Sequence, residues 1–271
     1  MEIFLSRDGV FPITRDGEGR LLRGLPASGI PVAGTIQGEG KLNGVPSLFI
    51  RLAGCNLHCV WTTSEGSVCP CDTAYASFET RGAQAVELVE IFKLIGINRG
   101  NITHVVITGG EPFLQRRPLA ELCRLLAAAG FHLTVETNGT IFDESVARYV
   151  DLFSLSPKLS SSTPPPPYAA RHDQIRLNIP VLQDFITYAR QYGKDFQLKF
   201  VYSREEDIDE IRSILKRLCN WRPDDILLMP MGVSPRELDE TTPLALEHCI
   251  REGWRFCDRL HIALFGNREG V

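Results

Sequence analysis

The chain has 271 residues, 44% of them hydrophobic and 23% charged, with a formal net charge of -4. That length suffices for one large domain or two small ones burying about three quarters of the unfolded surface, and a pI near 5.9 excludes the broad basic face of a nucleic-acid binder. No run of about 18 apolar residues appears and the first thirty residues lack the apolar stretch of a signal peptide, so a cytoplasmic chain without a membrane span is expected.

In chain order, residues 1 to 34 stand as an N-terminal extension of unclear role. SLFIRL at 47 to 52 is a short apolar strand running into Gly54-Cys55. From 83 to 97 the residues Val86, Val89, Phe92, Leu94 and Ile95 recur at helical spacing, and residues 104 to 108 follow as a buried strand ending in Gly109-Gly110. Pro118 opens a helix whose Leu119, Leu122, Cys123, Leu126 and Ala129 form one stripe, with Gly130 placed to stop it. Then come a strand at 132 to 137, a short helix at 143 to 149 and a strand at 151 to 156. A loop containing Pro164 to Pro167 reads as a stiff surface connector. A helix near 180 to 192, a strand at 196 to 202, a helix near 207 to 219, a strand at 226 to 230, a helix near 243 to 252 and RLHIALF at 259 to 265 as a closing strand complete the series. FGNREGV lies beyond it, where a tail can cover the mouth of the sheet.

Roughly six strands separated by helices imply right-handed βα units and a parallel sheet, an α/β fold either open or curled into a barrel. In such sheets chemistry gathers at the carboxyl ends of the strands. GCNLHC, TGGEP, ETNG and SPK stand at four consecutive strand ends.

Eight cysteines in a reducing compartment do not read as disulfides. Cys55, Cys59, Cys69 and Cys71 crowd into one loop, residues 54 to 73. Four ligands there suit a structural zinc, although Cys69-Pro70-Cys71 is tighter than the usual knuckle. Three ligands and a spare suit a four-iron cluster with one iron left open to a small molecule. The polar strand ends favour the second chemistry, because a structural zinc has no need of them. Cys123, Cys219, Cys249 and Cys257 are dispersed and read as small hydrophobes. His58 reads as a bystander in the cysteine loop.

GCNLHCVW followed by CDT, with TGGEP one βα unit later, resembles the radical S-adenosylmethionine (SAM) enzymes. TIQGEGKLNGVPSLFIRLAGCNLHCVW, residues 35 to 61, resembles more narrowly the 7-carboxy-7-deazaguanine synthases among them. The resemblance implies a partial (β/α)6 barrel over residues 35 to 271, parallel strands with outer helices. It also implies a [4Fe-4S] cluster whose fourth iron is chelated by the methionine part of S-adenosylmethionine, and a 5'-deoxyadenosyl radical. The activity implied is conversion of 6-carboxy-5,6,7,8-tetrahydropterin to 7-carboxy-7-deazaguanine with loss of ammonia. A homodimer is implied, as is flavodoxin or ferredoxin as electron donor.

The family spacing would bring Cys-Asp-Thr directly after Trp61, whereas TTSEGSVCP intervenes here. Removing that insertion makes Cys55, Cys59 and Cys71 the ligands; Cys69 in place of Cys59 remains the rival assignment. By resemblance Thr73 ligates Mg2+. Arg51, ending an apolar strand, is a guanidinium fork for the substrate's carboxylate. Ile36, Gln37, Gly38 and Glu39 approach the pterin, whose donor-rich edge suits an amide and a carboxylate, and Thr108 contacts it. Gly110, Glu111, Ser156, Pro157, Lys158, Met229, Pro230, Met231 and Gly232 are expected around S-adenosylmethionine. Another radical SAM enzyme, such as a glycyl-radical activase, would share the three cysteines and TGGEP without QGEG or CDT; a structural zinc protein would use all four clustered cysteines.

Overall fold

The computed structural model describes residues 1–62, 66–232 and 234–271; residues 63 to 65 of the insertion lie outside the described residues. A mostly parallel sheet is flanked by helices. Its strands are β1 (Glu2–Phe11), β2 (Thr35–Ile36), β3 (Pro46–Leu52), β6 (Gln84–Glu87), β7 (His104–Gly109), β8 (His132–Thr137), β9 (Leu152–Leu155), β10 (Asp195–Tyr202), β11 (Ile226–Pro230) and β12 (Arg255–Phe256). They follow the order β12-β11-β10-β9-β8-β7-β3-β1-β6, with β2 beside β3. From β3 to β12 every neighbour is parallel. β1 is antiparallel to both β3 and β6. A separate hairpin, β4 (Val60–Thr62) with β5 (Val68–Pro70), carries the insertion.

The helices are α1 (Ala74–Ser77), α2 (Leu88–Asn98), α3 (Arg116–Ala128), α4 (Glu144–Ala147), α5 (Ala169–Ile175), α6 (Ile179–Tyr192), α7 (Glu206–Leu215), α8 (Pro235–Glu252) and α9 (Leu260–Phe265). Side-chain alternation along each strand sorts the two faces. Leu48, Ile50 and Leu52 of β3, Val105 and Ile107 of β7, and Phe196, Leu198 and Phe200 of β10 point outward into the main core against the helices, where Leu119, Leu122, Cys123 and Leu126 of the predicted α3 stripe are buried and Ala129, just past the helix, is half-buried. Each fully buried Leu or Phe contributes about 1.5–3 kcal/mol. The opposite face carries Arg51, Thr108, Glu136, Gln197 and Lys199. That face is concave, because Glu39, just before β3, reaches Lys199 on β10, four strands away along the sheet.

Two predicted elements differ. Residues 84 to 87 are an edge strand rather than helix, Ile3 pairing with Val86, because the chain pairs with β1 before α2 begins. RLHIALF mimics strand alternation but is α9, and the last strand is β12 instead. Only Ile262 of α9 is deeply buried while Leu264 is exposed, so one helical contact and the Gly266 terminus outweigh the apparent period of two.

Candidate active site

All four loops that end β3, β7, β8 and β9 open into one cavity, as do the ends of β10 and β11. Close backbone packing builds its rim. The amide of Glu111 donates to Gly54 O at 2.8 Å, and a Cβ at Gly110 would lie 2.1 Å from that same oxygen, so the second glycine of TGGEP is required for the two loops to meet.

The insertion resolves as the β4–β5 hairpin, which leaves after Cys59 and returns at Cys71. Trp61 faces Cys69 in its register, and the Cys71 amide donates to Cys59 O at 3.1 Å. Residues twelve positions apart in sequence therefore sit as neighbours, as if the insertion were absent. Cys55, Cys59, Cys69 and Cys71 all line the cavity and pack into one small apolar cluster with Leu57, Trp61 and Met231. Burial pushes the Cys55 thiol up to about 12, with Cys71 adding to it; Cys59 is raised by burial and by both Cys71 and Cys55. Such thiols reach the thiolate state when a metal's positive charge is supplied. Lys158, its Nζ 2.9 Å from Ser156 Oγ, opposes the rise at all three. The Leu57 amide donates to Cys55 Sγ at 3.4 Å, and Asn138 Nδ2 approaches it at 3.9 Å. Among the described residues no three His, Cys, Asp or Glu donors form a group able to hold one metal ion; the three thiols are separate donors on one wall, the donor set that a [4Fe-4S] cluster takes. Thr73 also lines the cavity, its hydroxyl 3.4 Å from Cys71 Sγ.

Elsewhere in the cavity Glu39 meets Lys199 and, at 3.2 Å, Arg259 Nε. Burial alone would raise the Glu39 carboxyl, but Lys199, Arg259 and His261 outweigh it and hold it well below the usual carboxylate range. Arg259 also donates to Asp72 at 2.6 Å and to Gly232 O, joining the QGEG, CDT and MPMG segments. Glu136 accepts from Thr108 at 2.7 Å and from Gln37 at 3.0 Å. Gly38 leaves room for His261, which a Cβ would meet at 2.4 Å.

Of the residues singled out from sequence, Ile36, Gln37, Gly38, Glu39, Arg51, Thr108, Gly110, Ser156, Lys158, Met229, Pro230, Met231 and Gly232 all line this cavity. Met231 is buried with Leu57, Cys59 and Trp61, and Met229 with Leu227 and Cys257. Pro157 does not line it. Nor does Glu111, whose carboxylate is fully buried, accepting from Thr137 Oγ1 and from the amides of Phe113 and Asn138. It braces TGGEP against ETNG. His58 is sandwiched between Phe78 and Tyr168, 3.6 and 4.2 Å away by ring centroids. The tail residues Asn267 to Val271 line the cavity too.

Sequence reasoning missed Glu136, Lys199 and Arg259. Lys199 interrupts an apolar strand just as Arg51 does, so the same signal was present; Arg259 was hidden inside a presumed strand.

Burial pushes the Glu111 carboxyl up to about 7, against hydrogen bonds that favour its ionised form. A carboxyl raised on folding contributes stability that is complete below its ordinary value and is lost as pH rises through about 7. Glu111→Gln is expected to flatten the decline of Tm across that window relative to the parent protein; thermal unfolding followed at several pH values, giving parallel curves, would refute this.

Residues 49–218 match the Radical SAM superfamily. The chain is 38% identical to the 7-carboxy-7-deazaguanine synthase of Rhodopirellula baltica, over 87% of this chain and 85% of that one. It is 39% identical to the enzyme of that name from Halobacterium salinarum, over 86% and 88% respectively. The crystal structure of QueE from Escherichia coli superposes with a TM-score of 0.64 at 24% identity, over 96% of this chain and 95% of that one, a likeness of fold. No helix among the described residues is long and apolar enough to cross a membrane.

Proposed function

Because this chain belongs to the 7-carboxy-7-deazaguanine synthase family of radical SAM enzymes, we infer that its cavity converts 6-carboxy-5,6,7,8-tetrahydropterin to 7-carboxy-7-deazaguanine with loss of ammonia. The observation that carries the site assignment is the hairpin that returns Cys71 to Cys59 in the cavity that Cys55 also lines, together with the carboxylates and cations Glu39, Glu136, Lys199 and Arg259. Cys55, Cys59 and Cys71 hold the [4Fe-4S] cluster. When bound there, the cluster and S-adenosylmethionine would supply the radical chemistry that the ring contraction needs.

The chain's own residues bind, orient and exclude water. Gly110, through its backbone, and Ser156 and Lys158 lie on the thiol side and receive the amino, ribose and carboxylate groups of S-adenosylmethionine, with Met231 packed against its purine. Gln37 and Glu39, fixed by Glu136, Lys199 and Arg259, present acceptors to the pterin's amino edge. Arg51 takes the carboxylate. Thr73 would offer its hydroxyl to Mg2+, a hard cation that needs few protein ligands and would supply charge to clamp substrate oxygens. Tail residues 267 to 271 cover the mouth and keep solvent from a radical that attacks whatever lies nearest. The enzyme works as a homodimer supplied with electrons by flavodoxin or ferredoxin, feeding the queuosine and 7-deazapurine pathway.

The test is anaerobic iron reconstitution followed by incubation with S-adenosylmethionine, Mg2+, a reductant and the carboxytetrahydropterin. Mass spectrometry should detect the carboxydeazaguanine; cleavage of S-adenosylmethionine without that product would assign the chain to a different radical reaction.

A further inference from the structure

We propose that Asp8, on the N-terminal strand, is a positioning residue that aims the guanidinium of Arg51 into the cavity, an inference resting on the reading of Arg51 as the carboxylate receptor. The sheet register carries it. Leu5 stands opposite Leu52 and Val10 opposite Ile50, so four residues of β1, 6 to 9, face the single residue Arg51 of β3. Such a bulge bends a strand and re-aims a side chain. Gly9, at φ +55°, supplies the left-handed backbone that lets the bulge rejoin the ladder.

The consequence is local and specific. Asp8 Oδ2 accepts from Arg51 Nε at 2.6 Å and from the Tyr75 hydroxyl at 2.9 Å. The guanidinium carbon lies 4.9 Å from the Phe11 ring centroid and 5.8 Å from that of Tyr75. Both charged side chains are nearly buried, 13% and 12% exposed. Nε is therefore committed to Asp8, and the Nη nitrogens make no hydrogen bond to the described residues, which leaves the two-pronged end of the fork for a planar carboxylate. Glu136, whose negative charge also acts on Arg51, is the competing carboxylate on the cavity wall; the anchor at Nε keeps the fork from turning toward it. The same bulge sends Arg7 over the Tyr75 ring at 4.5 Å and to Glu269 of the tail at 2.5 Å, so the N-terminal segment shapes the mouth as well as the receptor.

The test compares, in the reconstituted enzyme under anaerobic conditions, equilibrium binding of the 6-carboxytetrahydropterin and of 6-methyltetrahydropterin, which has no carboxylate. Asp8→Ala is expected to weaken the carboxylated ligand about tenfold or more, to leave the methyl ligand within about twofold, and to keep the cluster's visible absorbance. Asp8→Asn, which retains an acceptor for Nε, is expected to lose only a few-fold, and it carries the test if the alanine variant does not fold. Equal weakening of both ligands, or no change in their ratio in either variant, would overturn the proposal and leave Asp8 a strand brace. Arg51→Ala separates the two levels. If it distinguishes the ligands while the Asp8 variants do not, only this proposal falls; if it treats the ligands alike, the receptor reading of Arg51 falls and the proposal with it.

Discussion

Cys59→Ala protein reconstituted with iron and sulfide is expected to show none of the visible absorbance of a four-iron cluster and no turnover, whereas Cys69→Ala should keep the absorbance. The sequence left these two cysteines as rivals, and the hairpin gives the physical ground for choosing. Cys59 is 4% exposed, its carbonyl is bonded to the Cys71 amide, and its thiol feels both Cys55 and Cys71. Cys69 is on the second strand of the hairpin, only partly buried, and the charges acting on it most strongly are Glu237 and Asp72 rather than the other thiols. With only two thiolates a cluster lacks the third anchor that fixes its orientation. Absorbance retained in Cys59→Ala and lost in Cys69→Ala would transfer the ligand to the hairpin's far strand.

Arg259→Ala is expected to lower activity at least a hundredfold and to reduce Tm by roughly 5–10 °C, from a loss of about 3 kcal/mol in a chain of this size. Arg259 is 6% exposed and joins three loops that no other side chain bridges together among the described residues. Its loss leaves Glu39 buried with Lys199 as its remaining close cation, which is why the stability cost lies at the lower end for a broken buried pair. The Asp72 contact adds little, since that carboxylate is 45% exposed. Arg259→Lys should recover part of the Tm but little of the activity, because one ammonium nitrogen cannot span the acceptors that Nε, Nη1 and Nη2 reach separately on Glu39, Gly232 and Asp72. A lysine variant that restores both would reduce Arg259 to a charge, and an alanine variant with normal turnover would remove it from the site.

The parallel strands were legible because they are buried on both faces and announce themselves as apolar runs; so were the loops after them, whose glycines and prolines mark where strands stop. The cysteine motif was legible despite its interruption, since a hairpin insertion changes spacing in sequence but not in space. β1 was not. It lies in the N-terminal extension to which no role was assigned, and only pairing with β3, about forty residues away, gives Asp8 a partner. Glu136 was obscured for a related reason: a charge at a polar strand end carries no sign of its partners until neighbouring strands close around it, whereas Lys199 carried the same signal as Arg51. The strand pattern at residues 259 to 265 misled because alternating apolar residues in a short segment fit either periodicity, and the tertiary contact of Ile262 decided for helix.

The central claim is that Cys55, Cys59 and Cys71 alone hold the cluster, so that one iron is free for S-adenosylmethionine. Electron paramagnetic resonance of the anaerobically reconstituted, dithionite-reduced protein, recorded before and after adding S-adenosylmethionine, tests it most directly. A spectrum of a reduced four-iron cluster whose g-values move on addition, and do so equally in Cys69→Ala, is the predicted result; a spectrum indifferent to S-adenosylmethionine, or a colourless protein carrying one zinc bound by all four cysteines, would contradict it.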